Sequence, residues 1–134
     1  MRRILRVLNE RAEPRGLLVA DAVDAEALIQ LDVTNPDDLE AAFDVVEDRF
    51  GHLDILVHSI AFAPKQDLQG GLLNCSAEGF ATAMAVSCHS LIALTRRASA
   101  LMTDGGSVLT MSYYGSEKVI GNYNVMGPVK AALE

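Results

Sequence analysis

Basic charge is in short supply. Lys and Arg number 11 against 18 Asp and Glu, a formal net charge of −7, with a pI near 4.8. No basic stripe runs along the chain, which argues against a nucleic-acid partner. Cysteine is scarce as well. Cys75 and Cys88 lack CxxC spacing, so reduced thiols are expected rather than a disulfide or a metal site. Long apolar runs are missing. The stretch "ILVHSIAFA" is short and contains His58, whereas a membrane span needs about 20 residues. The start, "MRRILRVLN", has arginines but no extended apolar core or cleavage site of a signal peptide. These absences lead to the expectation of a cytoplasmic protein with no membrane or nucleic-acid partner. Motif absences exclude further chemistry: there is no HExxH, no GxSxG and no GxxxxGK[ST].

What is present is a chain of 134 residues, 50% hydrophobic. That suits one globular domain with a real core. Residues 2–13, with apolar positions at 4, 5, 7 and 8, read as an amphipathic helix. "LLVA" and "ALIQLDV" within 17–33 both resemble short buried strands. "TNPDDLEAAFDVVEDRF" reads as a helix. Asn35 caps it, Pro36 takes the first position, Asp37 and Asp38 meet the positive end of the dipole, and Gly51 ends it. Leu39, Phe43 and Val46 share one face. "LDILVHS" is a strand suited to a sheet covered on both sides, and 60–75 is a long loop. Residues 77–103 form one long helix of small apolar residues, suited to a helix–helix or subunit interface. "GGSVLTMS" is the next strand, and a last helix starts near Asn122. This order predicts α/β architecture, a Rossmann-like doubly wound parallel sheet. No linker divides residues 1–134 into separate domains.

In such a sheet, ligands bind beyond the carboxyl ends of the strands. The ends here are Asp32-Val33, Ser59-Ile60-Ala61 and Ser112-Tyr113. If the strands are neighbours, these ends converge on one crevice. Seven residues of helix turn through about 700°, nearly two full turns, so Tyr123 and Lys130 would share a face with Met126 between them. An ammonium near a phenol lowers the phenol's pKa, and a phenol so placed can serve an oxygen that gains negative charge. Spacing alone leaves this open, since Tyr and Lys fall seven apart on many helices by chance. Tyr113 at a strand end is commonly packing, Asp32 can simply cap a turn, and His58 inside an apolar strand reads as a satisfied core histidine.

Two stretches do more. "LDVTNPDDLEAAFDVVEDRFGHLDILVHSIAFAP" and "SYYGSEKVIGNYNVMGPVKAALE" resemble the NADH-dependent enoyl-acyl-carrier-protein reductases of bacterial fatty-acid synthesis, divergent members of the short-chain dehydrogenase/reductase superfamily. The resemblance covers residues 30–134. Tyr123-x6-Lys130 stands where ordinary members carry Tyr-x3-Lys, and "HSIAFAP" replaces their Asn-Asn-Ala-Gly stretch. The resemblance implies NADH as cofactor (NADPH not excluded) and an acyl-carrier-protein-bound enoyl substrate. It also implies a homo-oligomer, dimer or tetramer, for the intact form. It makes Tyr123 the catalytic tyrosine and Tyr113 a second active-site tyrosine. Lys130 becomes both a catalytic residue and the holder of the nicotinamide ribose. By the same resemblance, Asp32 and Val33 flank the adenine, Ser59, Ile60 and Ala61 run along the cofactor, and Ala63 and Met126 contact the substrate. No metal is implied.

The chain departs from the family pattern in two ways. Nothing before Asp32 supplies the Gly-rich strand–turn–helix that holds a pyrophosphate, since Gly16 stands alone. The family's later strands and substrate loop would follow Glu134. The sheet is thus expected to be incomplete, the chain a fragment with strand edges left unpaired. A non-catalytic piece that cannot hold cofactor is the alternative reading, and a 3-oxoacyl reductase a weaker one. Pro128 would cost a backbone hydrogen bond in a helix begun near Asn122, and less in one begun nearer Asn124.

Overall fold

The computed structural model describes residues 5–8 and 27–134, with the side chains described from residue 27 onward. The expected strand at 17–20 lies outside the described residues. The chain divides into two compact units, Met1–Asp54 with Arg97–Gly106, and Ile55–Arg96 with Ser107–Glu134.

In the first unit, β1 (Leu5–Leu8) pairs in parallel with β2 (Ala27–Gln30), Leu5 opposite Ala27 and Leu8 opposite Gln30. This corrects the helix expected over 2–13 at residues 5–8; the rest of that stretch lies outside the described residues. Apolar residues at 4, 5, 7 and 8 fit a helical stripe, but four of them are too few to separate that period from a short strand. Helix α1 (Pro36–Phe50) follows the sequence closely. Asn35 Oδ1 accepts the Asp37 N–H at 3.0 Å, and Asp37 and Asp38 sit in the first turn. Gly51 closes the helix at φ 70°, a left-handed conformation that costs a side-chain-bearing residue energy. Leu39, Ala42 and Val46 are its buried residues, while Phe43 is only half-buried.

In the second unit, β3 (Ile55–His58) pairs in parallel with β4 (Ser107–Thr110), His58 opposite Thr110. The described strands therefore form two parallel two-stranded sheets rather than one sheet of neighbours, and the three strand ends do not line one hydrogen-bonded sheet. Nor is β3 covered on both sides: Ile55 and Val57 are 54% and 55% exposed. The stretch 60–75 is not a plain loop. It contains a single turn α2 (Lys65–Leu68) and a 3-10 turn at Leu72–Asn74.

The long helix is continuous from Ala77 to Leu101. It comprises α3 (Ala77–Met84), a π segment (Ala85–His89) and α4 (Ser90–Leu101). By length and composition it meets the size of a membrane span, contrary to expectation. Its fully buried Ser87 and Ser90, however, are hydrogen-bonded to groups of the second unit, so one side of the helix packs within that unit. Ser76 caps α3 by accepting the Gly79 N–H at 2.9 Å. Asp67 is buried behind that cap. Its Oδ1 accepts the Ser76 N–H at 2.6 Å and the Ser76 hydroxyl at 2.9 Å. Gly79 is required here, because a Cβ would overlap the Asp67 carboxylate.

The final helix, α5 (Met126–Leu133), begins later than expected. Pro128 falls in its first turn, where the N–H has no helical partner in any case, so the proline costs no helical hydrogen bond. Ala63, Ala83, Val125, Met126 and Val129 form the core of this unit. Leu68, Cys75, Met84, Cys88 and Tyr123 pack against it. Both cysteines are free thiols.

Candidate active site

Tyr123 is not on a helix. It lies in the turn before α5, between Asn122 at φ 61° and Asn124 at φ 29°. Left-handed backbone is least costly for Gly and Asn among common residues, so the two asparagines let the chain turn tightly on both sides of the tyrosine. This corrects the helical-face argument for Tyr123, Met126 and Lys130. The turn is pinned by the Asn124 side-chain amide, which donates to the Leu68 carbonyl of α2.

The Tyr123 ring meets Tyr113 edge-on, with centroids 4.8 Å apart and planes at 62°. Tyr113 follows β4 and precedes a 3-10 turn, Tyr114–Ser116. Gly115 in that turn is buried, and a Cβ there would enter the Tyr123 ring, 2.6 Å from Cε1. Burial, aided by Tyr113, raises the Tyr123 pKa above its ordinary value near 10. The expected lowering by Lys130 is thus reversed: the phenol is held in its protonated, hydrogen-donating form.

Lys130 is 5% exposed on α5, and its Nζ donates to the Met111 carbonyl at 2.6 Å. Burial lowers its pKa, while Cys88 and Glu134 act in the opposite direction. An ammonium carries three donors, and the Met111 carbonyl takes one of them. Glu134, one turn on, accepts the Ser112 hydroxyl, and its carboxyl is held below its ordinary range chiefly by that bond.

His58 is wholly buried and fully engaged, as expected. Its Nδ1 lies 2.9 Å from Thr110 Oγ1 and its Nε2 2.7 Å from Ser90 Oγ. Ser90 donates its own proton to the Val86 carbonyl at 2.6 Å, so it must accept from Nε2–H. Nδ1 then accepts from Thr110. Burial and the nearby Lys130 both lower the histidine's pKa, keeping it neutral. After it come Ser59 and Ala61, exposed, with half-buried Ile60 between.

The remaining expected residues divide. Asp32 makes a turn: its Oδ1 accepts the Thr34 N–H at 2.8 Å and hydroxyl at 2.7 Å, which lowers its pKa. It and Val33 belong to the first unit. Ala63 and Met126, expected as substrate contacts, are 8% and 4% exposed within the core, with little surface left for a ligand. Sequence reasoning missed the concavity beside Tyr123. It has a volume of about 350 Å³ and is lined by Leu72, Gly115–Ile120, Tyr123, Asn124, Gly127, Pro128 and Ala131. It also missed Gly115, Asn124 and the two buried serines. The "GNYN" stretch, with three residues tolerant of left-handed backbone, was the available signal for the turn.

Comparison with known proteins points the same way. Residues 2–134 match the profile of the enoyl-(acyl carrier protein) reductase family. The likeness thus reaches well upstream of residue 30. Among curated relatives, the NADH enoyl-[acyl-carrier-protein] reductase of Rickettsia felis is 46% identical over 128 residues, covering 96% of this chain and 48% of the relative. That of Aquifex aeolicus is 45% identical over 125 residues, covering 92% and 46%. The chain thus spans about half the length of the curated relatives it matches. The solved Aquifex aeolicus enzyme superposes with a TM-score of 0.91 at 41% identity, over 98% of this chain and 52% of that one. An Anaplasma phagocytophilum enoyl-(acyl-carrier-protein) reductase solved in complex with NAD gives 0.90 at 37%, over 98% and 50%. These neighbours confirm the Rossmann-like α/β fold, of which the chain holds part. Matched over nearly its whole length by the family profile, the chain belongs to the enoyl-(acyl carrier protein) reductase family.

Proposed function

We propose that this chain carries the tyrosine–lysine half of an NADH-dependent reductase of trans-2-enoyl thioesters held on acyl carrier protein, working in bacterial fatty-acid synthesis. The observation that carries the reading is Tyr123: a phenol kept protonated by burial, packed against Tyr113 and Gly115, in the wall of an open concavity. The donor set fits a dinucleotide. Lys130 has ammonium donors beyond the one given to Met111, and the exposed stretch Ser59–Ala61 follows the carboxyl end of β3.

Bound NADH would supply the hydride that adds to C3 of the enoyl group. Tyr123 donates its hydroxyl proton in a hydrogen bond to the thioester carbonyl oxygen, where negative charge gathers as the enolate forms. Tyr113, set edge-on to that ring, limits its swing and is retained as a second active-site tyrosine. Lys130 orients the nicotinamide ribose and adds positive field. Ser59, Ile60 and Ala61 line the cofactor's path. Ala63 and Met126 serve the acyl chain from beneath, through Tyr123, which packs against their cluster. A homo-oligomer and a cytoplasmic setting accompany this reading.

Tyr123→Phe tests it. Loss of the donor should lower kcat for a 2-enoyl thioester roughly 100-fold or more, with NADH affinity and melting temperature retained. Unchanged kcat would remove Tyr123 from the chemistry. One observation favours a second reading, in which this length of chain does not grip cofactor by itself. Ile55, Val57, Val108 and Leu109 of β3 and β4 are all well exposed. Saturable NADH fluorescence on titration would dismiss it.

A further inference from the structure

The stretch that follows β3 is held at both ends by one helix. In the π segment the Ser90 N–H reaches back five residues to the Ala85 carbonyl. Widened turns of this kind occur often at functional sites. Here the shift leaves the Val86 carbonyl to the Ser90 hydroxyl at 2.6 Å, which commits Ser90 Oγ to accept from His58 Nε2 at 2.7 Å. Inside the π segment, Ser87 Oγ accepts the Phe62 N–H at 2.9 Å and lies 3.1 Å from the Phe62 carbonyl, to which it donates. Both serines are wholly buried. Ser87 Oγ also lies 4.0 Å from Met126 Sδ, at the start of the helix that bears Lys130.

Ser90 thus holds residue 58 by its ring and Ser87 holds residue 62 by its backbone. Only Ser59, Ile60 and Ala61 lie between. A backbone fixed at both ends over so short a distance presents its N–H and C=O groups in one arrangement, which spares a ligand the ordering entropy of a free loop. We propose that Ser87 is a positioning residue for cofactor binding: it sets the backbone of 59–61 in the form a dinucleotide meets. The inference rests on the reading of that stretch as cofactor-facing.

The test compares the unsubstituted chain, Ser87→Ala, and Val46→Ala, a core truncation in the other unit that controls for general destabilisation. Amide hydrogen exchange is followed at Phe62 and at Met111, whose N–H donates to the His58 carbonyl at 3.0 Å. NADH affinity is titrated by fluorescence. Ser87→Ala should speed exchange at Phe62 about tenfold relative to Met111 and weaken NADH about tenfold, the scale of one net hydrogen bond. Val46→Ala should leave that exchange ratio and the NADH affinity unchanged. A Phe62-to-Met111 ratio unchanged in Ser87→Ala overturns the proposal, as does NADH affinity equal to that of the unsubstituted chain. Failure of the unsubstituted chain to bind NADH counts against the proposed function instead. In that case the exchange ratio alone decides whether Ser87 sets this backbone.

Discussion

The two sides of the candidate site are held by different forces. The stretch His58–Phe62 is held by directional hydrogen bonds with the two buried serines, Ser90 and Ser87. The Tyr123 side is held mainly by shape: a ring against a glycine, a second ring edge-on, and left-handed backbone at two asparagines. Hydrogen bonds fix where a backbone presents its polar groups. Packing fixes where a hydroxyl on a rigid ring ends up. Each side uses the force that suits what it must place.

Breaking the packed side should have the larger effect. Gly115→Ala puts a methyl group where the Tyr123 ring lies. A displacement near 1 Å at a reacting group can cost roughly 100-fold, so kcat for enoyl reduction should fall by about that much. NADH affinity should change little, because the serine-held side is untouched. A matching loss of NADH affinity would show that the two sides are not separable. Next comes Asp67→Ala, which removes two bonds from the Ser76 cap and loosens α2, whose Leu68 carbonyl receives Asn124. Chemical denaturation should show a loss of about 2 kcal/mol, the scale of two net hydrogen bonds. If activity then falls as far as in Gly115→Ala, the tyrosine side depends on hydrogen bonds as much as on packing.

The smallest effect concerns pH and the hydrogen-bonded side. The folded pKa of His58 lies below its ordinary value near 6.5. Its contribution to stability is therefore complete above about 6.5 and is lost as pH falls below that toward the lower folded value. Melting temperature should decline over this window, and His58→Gln should flatten the decline. A decline of equal slope in the variant would place the acid sensitivity elsewhere.

Much of this was legible in the residues. Helix α1 announced itself through Asn35, Pro36, Asp37 and Gly51, each a local preference that needs no partner. His58 read correctly as a satisfied core residue, because a polar ring amid "ILVHS" must find partners. Three things were not legible. The strand at Leu5–Leu8 is defined by its parallel partner at Ala27–Gln30, a pairing between distant residues. The position of Tyr123 off the helix depends on φ at Asn122 and Asn124, which composition permits but does not compel. The π segment has no sequence signature at all. Its serines acquire meaning only once Phe62 and His58 stand opposite them. The reversed shift at Tyr123 has the same origin: spacing names a neighbouring ammonium, but burial and Tyr113 are what raise the pKa.

The edge-on ring pair has an optical consequence. The chain has no tryptophan and three tyrosines, two of which, Tyr113 and Tyr123, touch at the site. Near-ultraviolet circular dichroism of this protein is therefore dominated by the very rings whose geometry matters, with no indole band to mask them. The integrity of the tyrosine site can be followed spectroscopically, without label or substrate, in every variant described above that keeps both rings.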